Sequence, residues 1–600
     1  MDKDSEVADY RGYSNEIIAA ATRQREVVIA DSTLRCELIT NFSRLQELSA
    51  DWERLWRADP EAEIFQSFAW ACAWWRCYGG KVGLRSLAVF ERERVIGIVP
   101  LVQDGDRLFF LAGTQADYCD ILCEDGRAAE VFAAALRTLL QLPGWKECAL
   151  RNLKVGGRVF KQLARLPKKL RQHLQTTPGE DCHTIVIDGN RDALVSLLGK
   201  KHTKRRLNKL RKAGTVTFRH IETKAEAQAE LSDFFRHQMR SRALAGKESS
   251  APEFNKFLRN LVDELDLTKE LRFGVLALNG RPLAWHFSFH VNGKWAFYQQ
   301  TFDVDAGDYS PGEVLIHKLL LYAQENVTRE FDFGPGDEPF KDRFMTDTQE
   351  TYSLYVEPAG IQGQGRRALR AGAVPCLRLG RRVQRLAKRH DETLHRFRSI
   401  RLWASGVQAR IRYHRHKKTL VAWAVKAVVR PVRSMRFGGA QIDLFLVGNS
   451  VKGEATSLAL VSTSNLSARE GGVGDLVDLA LQHPEILVPS ELGRYRQRLK
   501  QGDRVYLVRQ GEEVVLAGWT TTRKPDDVLG SKTSLRVSGN APLMLLYECL
   551  AVSDVVEKVH YRQLLCAVST EAKKKQLVLC AADGLGFGRD VCGALQAAAA

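Results

Sequence analysis

Apolar and polar residues alternate along some segments and recur at helical spacing along others, and the densest such pattern runs from Trp295 to Phe344. Trp295–Thr301 is aromatic-rich and predicts a strand. Ala306–Gly312 collects Gly, Asp, Ser and Pro and predicts a turn. Val314, Leu315, Lys318, Leu319 and Tyr322 then fall on helical spacing, and Phe331–Phe333 reads as a short strand ending in Gly334-Pro335-Gly336. A helix opened by such a loop leaves its first N–H groups without internal partners, and with the helix dipole these favour an anionic group such as a pyrophosphate. Ser310 can cap this helix and Pro311 suits its first turn. The same letters also describe an ordinary strand–helix–strand crossover.

Elsewhere, residues 1–34 read as a tail, and the first domain begins near Cys36. Phe42–Arg57 predicts a helix with Leu45, Leu48, Trp52 and Leu55 on one face. Phe65–Gly79 predicts an aromatic helix whose Trp74 and Trp75 pack in the core. Leu84–Val102 reads as two strands about a charged turn, and Leu271–Phe289 and Asp503–Thr521 repeat that unit, the former with a hairpin Asn279-Gly280 and the latter with Gln510-Gly511. Three copies suggest three related domains. Downstream of Ile442, strands are expected at Ser457–Ser462, Leu543–Val552 and Gln576–Ala581, and helices at Gly474–Gln482, Ser490–Leu499 and Tyr561–Ala572.

The charge changes this picture. The net +18 is concentrated between residues 361 and 437, which hold twenty-one Lys and Arg against Asp391 and Glu392, so the flanking blocks are nearly neutral. Within it, residues 396–436 interleave basic residues with Ile400, Leu402, Trp403 and Trp423. Such a connector can lie on an anionic membrane surface, pack on its own domains, or bind RNA. The 44% hydrophobic content is that of a soluble globular protein, and no apolar run reaches eighteen residues. The acidic start MDKDSEVADY is not a secretory signal, so a cytoplasmic location is expected. Twelve cysteines without a CxxC pair predict free thiols and no metal site.

Proton transfer in a reacting complex needs a positioned base and a positioned acid, and developing negative charge needs hydrogen-bond donors. His286 has the chemistry of a base and Tyr298 that of an acid; Asp303, with Asp305 and Asp308, can orient an amine. In the run Ser310, Pro311, Gly312 and Glu313, the backbone N–H groups after Pro311-Gly312 are the candidates to bind an anionic cofactor. Asp117 and Asp120, in a polar break after a strand, are candidates for substrate contact and equally ordinary turn residues. The basic helix expected at Leu198–Gly214 is either a solvated face or an anchor for a phosphate or a sugar-nucleotide diphosphate.

The runs YSPGEVLIHKLLLYA and FDFGPGDEPFKDRF together resemble the CelD-type acyltransferase domain of the GNAT superfamily, found in cellulose and exopolysaccharide gene neighbourhoods and related to the Fem-type peptidoglycan aminoacyltransferases. The resemblance covers about Cys36 to Glu357. It implies an α/β fold of tandem GNAT-like mixed sheets flanked by helices, with halves at 35–180 and 181–358 and the second half catalytic. It further implies acetyl-CoA or another acyl-CoA as donor and a small-molecule or glycan amine as acceptor. Lys341 matches the family's lysine and would contact an anionic substrate or pair with Asp337; Phe340 stands where Tyr is commoner. After a basic connector at 359–439, residues 440–600 would form a third, degenerate GNAT-like domain, because Ser553–Leu565 lacks the glycines of a phosphate loop. Two rivals stand beside this reading: a Fem-like transferase using aminoacyl-tRNA, and a non-catalytic scaffold at a membrane-associated polysaccharide assembly.

Overall fold

The computed structural model describes residues 34–187, 201–245, 252–326, 328–336, 340–358, 466–483, 492–511 and 513–522, with shorter stretches including 26–28, 442–447, 543–551 and 576–582. The expected strand Ser457–Ser462, the amphipathic run 396–436 and almost all of the tail lie outside them, as does most of the helix Tyr561–Ala572. The chain forms two compact units, residues 1–238 with 250–391, and residues 239–249 with 392–600.

Two sheets build the first unit. The smaller has the order β1 (Glu26–Val28), β2 (Leu34–Ile39), β4 (Ser86–Glu91), β5 (Arg94–Val99) and β8 (Leu122–Cys123). The larger has eleven strands. It starts with β11 (Val216–Ile221), β12 (Leu271–Leu278), β13 (Arg281–Val291), β14 (Lys294–Phe302) and β15 (Glu330–Pro335). It continues through β10 (Leu174–Val186), β16 (Asp347–Val356), β9 (Glu147–Lys154), β7 (Arg107–Phe110), β6 (Leu101–Asp104) and β3 (Gly83–Leu84). The expected pair of strands over 84–102 is β4 and β5, which pair antiparallel in the smaller sheet, while the ends of that range, β3 and β6, join the larger one. Pro100 separates β5 from β6; lacking an N–H, it ends one ladder and lets the chain enter the other. The expected junction at 180/181 falls inside β10, whose two neighbours β15 and β16 both run antiparallel to it.

Local chemistry explains most elements. Asn279 and Gly280 both take positive φ (51° and 80°), the backbone of a two-residue hairpin. The region 42–57 is two helices, α1 (Phe42–Glu47) and α2 (Ser49–Arg57), broken at Leu48, yet Leu45, Leu48, Trp52 and Leu55 are all buried as the spacing requires. Helix α3 (Phe68–Tyr78) is capped by Ser67, which accepts from the Trp70 N–H at 3.1 Å. Trp74 is buried and Trp75 half-buried, the latter stacked on Phe42. Trp70 is fully buried; its ring meets Phe257 of α7 (Pro252–Glu264), Phe289 of β13 and Tyr298 of β14. Between them, in chain order, come α4 (Ala128–Gln141), α5 (Lys201–Ala213) and α6 (Lys224–Leu244); α8 is Pro311–Glu325.

The second unit holds a six-stranded sheet of order β18 (Leu466–Gly471), β19 (Arg504–Gln510), β20 (Glu513–Thr521), β21 (Leu543–Ala551), β22 (Gln576–Ala582) and β17 (Ile442–Val447). Along this order the pairings run antiparallel three times, then parallel, then antiparallel. The sequence of directions along β11-β12-β13-β14-β15-β10 is the same. Two helices, α9 (Val473–Gln482) and α10 (Leu492–Lys500), separate the first two strands, as α6 and α7 separate β11 from β12. The six-strand topology of residues 174–335 is therefore repeated in residues 442–582.

Replacing Trp70 with Ala removes the ring that joins α3, α7 and the large sheet. A loss of about 3–5 kcal/mol is expected, read as an earlier transition in denaturant unfolding of the full chain.

Candidate active site

The site forms where two parallel strands part. Strands β14 and β15 pair at only three positions, Lys294–Glu330, Trp295–Phe331 and Ala296–Asp332. Beyond them β14 is bulged against β13, for Phe287 faces Gln299 while Ser288 faces Phe297, leaving Tyr298 as the extra residue. A bulge frees backbone groups from the ladder and re-aims side chains. The Tyr298 hydroxyl donates to the Gln115 carbonyl at 2.8 Å, and its ring packs with Phe65, Trp70 and Phe289. The next residue, Gln299, accepts from Gln238 of α6 at 3.0 Å.

Past β14 the chain makes a short 3-10 turn, Val304–Tyr309, and enters α8. Ser310 occupies the N-cap position with left-handed backbone (φ 52°), not the extended backbone of a capping serine, and makes no side-chain capping bond, contrary to expectation. Pro311 is the first helical residue, as expected. Gly312 lies close to Gln300, whose side-chain amide donates to the Gly312 carbonyl at 2.7 Å, and an added Cβ would stand 3.2 Å from that nitrogen. Glu313 pairs with Arg206 of α5 and with Arg343 at 2.7 Å. Asp303 is buried, accepts from the Asp305 N–H at 3.1 Å and pairs with Arg281 at 2.5 Å, so its carboxylate organises the loop.

His286 and Tyr298 are placed on opposite faces of the sheet. His220, Gly274, His286 and Gln300 form one cross-strand file over β11 to β14. A Cβ on Gly274 would meet Leu319 of α8 at 3.5 Å, which sets the file beneath that helix. His286 is wholly buried, neither ring nitrogen has a hydrogen-bond partner, and its ring lies against Phe297 at 4.1 Å. Burial, and secondarily His220, hold its pKa well below the usual value. A base needs reach to solvent or substrate, and this imidazole has neither.

The two aspartates proposed for substrate diverge. Asp120 accepts from the N–H groups of Ile121 (2.9 Å), Arg158 (2.5 Å) and Val159 (3.0 Å), capping the turn at 158–162; burial raises its carboxyl to about 6. Asp117 instead faces the cleft strand: a Cβ on Gly334, itself at φ 71°, would stand 3.0 Å from its carboxylate. Lys341 is buried and donates to the carbonyls of Gly334 (3.1 Å), Pro335 (2.9 Å) and Gly336 (3.4 Å). Its acid partner is Glu338 at 2.9 Å, while Asp337 lies outside the described residues. The lysine thus shapes the glycine turn that ends β15.

Sequence reasoning missed the charged group beside this turn. Asp332 accepts from Tyr118 Oη (2.8 Å), the Gly334 N–H (2.7 Å) and Lys154 Nζ (3.2 Å), and Lys154 also pairs with Glu63. Burial raises the Glu63 carboxyl, against the pull of Lys154, and burial followed by Asp332 raises the Tyr118 phenol. Burial opposes the Lys154 charge, but the two carboxylates outweigh it and its pKa rises. A small cavity lined by Glu63, Phe289, Lys294, Ala296 and Asp332 adjoins them. Asp332 was visible within the FDFGPGDE motif; Glu63 and Lys154 carry no local signal. Among the described residues no cluster of potential metal ligands occurs.

Residues 199–342 match the model of a family described as Acetyltransferase (GNAT) domain, which assigns β11 to β15, α5 to α8 and the cleft to a GNAT-type acetyltransferase domain. No curated protein matches the chain's sequence. Solved structures to which the chain is similar include FemX, at 12% identity and TM-score 0.38, covering 51% of this chain and 96% of that one. A tandem GNAT protein from the clavulanic acid biosynthesis pathway is another, at 10% identity and TM-score 0.33, covering 55% and 99%. The C-terminal domain of a putative lysylphosphatidylglycerol synthetase from Agrobacterium fabrum is a third, at 13% identity and TM-score 0.32, covering 55% and 96%. Likenesses of this size carry no assignment of activity or of residue roles.

Two outcomes are expected. His286→Leu leaves the fold intact and any transferase activity within a few-fold, where loss of a working base would cost about 10²–10⁴ in turnover. His220, half-buried with both ring nitrogens enclosed, titrates at about 4 instead of 6.5, held down by burial first and by Arg272 second. Unfolding therefore takes up a proton between these values, so stability present above pH 6.5 is lost as pH falls towards 4. At about 1.4 kcal/mol per unit, His220 accounts for about 3 kcal/mol of that loss. His220→Gln should flatten the pH dependence of the unfolding midpoint.

Proposed function

We propose that this chain is an N-acyltransferase that moves an acetyl or related acyl group from CoA to an amine on a sugar or polysaccharide-related acceptor. The observation that carries the reading is the parting of β14 and β15 beside a bulge, inside the segment that matches an acetyltransferase domain. Parted strands offer an extended donor arm unpaired backbone groups on both sides, in the manner of strand addition. The bulge at Tyr298 supplies freed N–H groups for the thioester carbonyl, where negative charge grows during attack. The α8 N-terminus, with Gly312 admitting close approach, receives the donor's pyrophosphate.

The amine attacks directly, without an acyl-enzyme. The acceptor enters on the Tyr298 face of the sheet, between Asp117 and the Gly334–Gly336 turn. As the C–N bond forms and the C–S bond breaks, Tyr298, at the bulge, gives its proton to the departing CoA thiolate and recovers one from the amine nitrogen; Lys341 holds the turn in place. The exopolysaccharide acceptor rests on the CelD-type resemblance alone. The same proposal has the protein work in the cytoplasm, and the basic and apolar residues interleaved in the connector at 359–439 support a peripheral contact to the membrane. No helix among the described residues is long and apolar enough to cross a membrane.

Calorimetric titration of the full chain with acetyl-CoA tests the reading. Binding is expected, weakened about tenfold or more by Gly312→Val, which crowds Gln300 and the first turn of α8; an absence of binding to the unaltered chain overturns the proposal. Tyr298→Phe should leave acetyl-CoA affinity unchanged and lower turnover by about 10²-fold.

A further inference from the structure

Helix α5 carries no acidic residue, and its two buried leucines, Leu207 and Leu210, belong to the core beneath α8. They fix which way the helix faces. Arg206 reaches Glu313 in the first turn of α8. Lys209 donates to the Asp308 carbonyl at 2.9 Å and lies over the Tyr309 ring. The helix is thereby set along the mouth of the donor loop. Lys204, Arg205, Arg211 and Lys212 are exposed, and none has an ion pair among the described residues. Arg205, Lys209 and Lys212 stand at i, i+4 and i+7, one above another on a single face. Like charges so placed repel, and nothing on the helix offsets them.

We infer that this basic face is the binding surface for the phosphorylated nucleotide end of the donor, with Arg205 and Lys212 as contacts beyond the α8 N-terminus. The inference rests on the acyl-CoA reading and extends it. From Arg205 to Lys212 the face measures about 10 Å along the helix axis. That matches a compact ligand bearing several phosphates; on duplex nucleic acid it would cover the rise of only about three base pairs. Coenzyme A carries a pyrophosphate and a separate ribose phosphate. With the pyrophosphate at the α8 N-terminus, the ribose phosphate is the group left to meet α5. Arg206 and Arg343, both paired to Glu313, hold the loop and leave the outer residues to the ligand.

The test is calorimetric titration of the full chain, unaltered and as R205E and R205E/K212E, with acetyl-CoA and with acetyl-3′-dephospho-CoA. The unaltered chain should bind acetyl-CoA about tenfold more tightly than the dephospho form, the worth of one charge-assisted contact. R205E should lose that discrimination while its circular dichroism and melting stay unchanged. If the unaltered chain binds acetyl-CoA and both variants bind it equally well, the inference fails and the acyl-CoA reading stands. Absence of acetyl-CoA binding to the unaltered chain overturns both. If in that case a tRNA acceptor-stem hairpin binds the unaltered chain but not R205E, the face belongs to nucleic acid.

Discussion

Lys154 ends β9, in the first half of the large sheet, and its ammonium is shared between Glu63 of the same half and Asp332 of β15 in the second. All three side chains are largely buried, and Tyr118 and the Gly334 N–H complete the contacts of Asp332. A buried charge is tolerated only when it is paired and hydrogen-bonded; removing one partner leaves the others uncompensated. The position of this group matters as much as its energy. Asp332 is the last residue of β15 paired to β14, so the cluster sits at the root of the cleft and fixes where the strands begin to separate. Lys341 then clamps the Gly334–Gly336 turn beyond it.

Much of the fold was legible in the letters. The Trp295–Phe344 pattern predicted β14, α8 and β15 nearly to the residue, because aromatic alternation, Pro at the helix start and glycine at the strand end are local signals. The Asn279-Gly280 hairpin was legible for the same reason. The division of residues 84–102 between two sheets was not, since the strands alternate alike whichever neighbour they pair with. Nor was the placement of the expected junction inside β10, which depends on partners at residues 330–335 and 347–356.

The candidate site was legible in part. The loop that opens α8 and the place of Tyr298 on β14 follow from local pattern. His286 looked suited to proton transfer by residue type alone, and only the register of β12, β13 and β14 reveals it buried under α8, on the face away from Tyr298. Asp117 and Asp120, three residues apart, serve different ends because one side chain turns to β15 and the other to the backbone at 158–159. Glu63, Lys154 and Asp332 meet across more than 260 residues of chain, and no window of sequence holds such a contact.

The path of β10 has one more consequence. Because it lies between β15 and β16, and β16 pairs with β9, hydrogen bonding continues without a break through the middle of the eleven-stranded sheet. The sheet's two open margins are β11 and the two-residue β3. A chain severed near residue 180 would cut through β10 and leave the edges of β9 and β16 unpaired, edges of the kind that recruit other chains. The two halves are therefore poor candidates for separate life as soluble fragments.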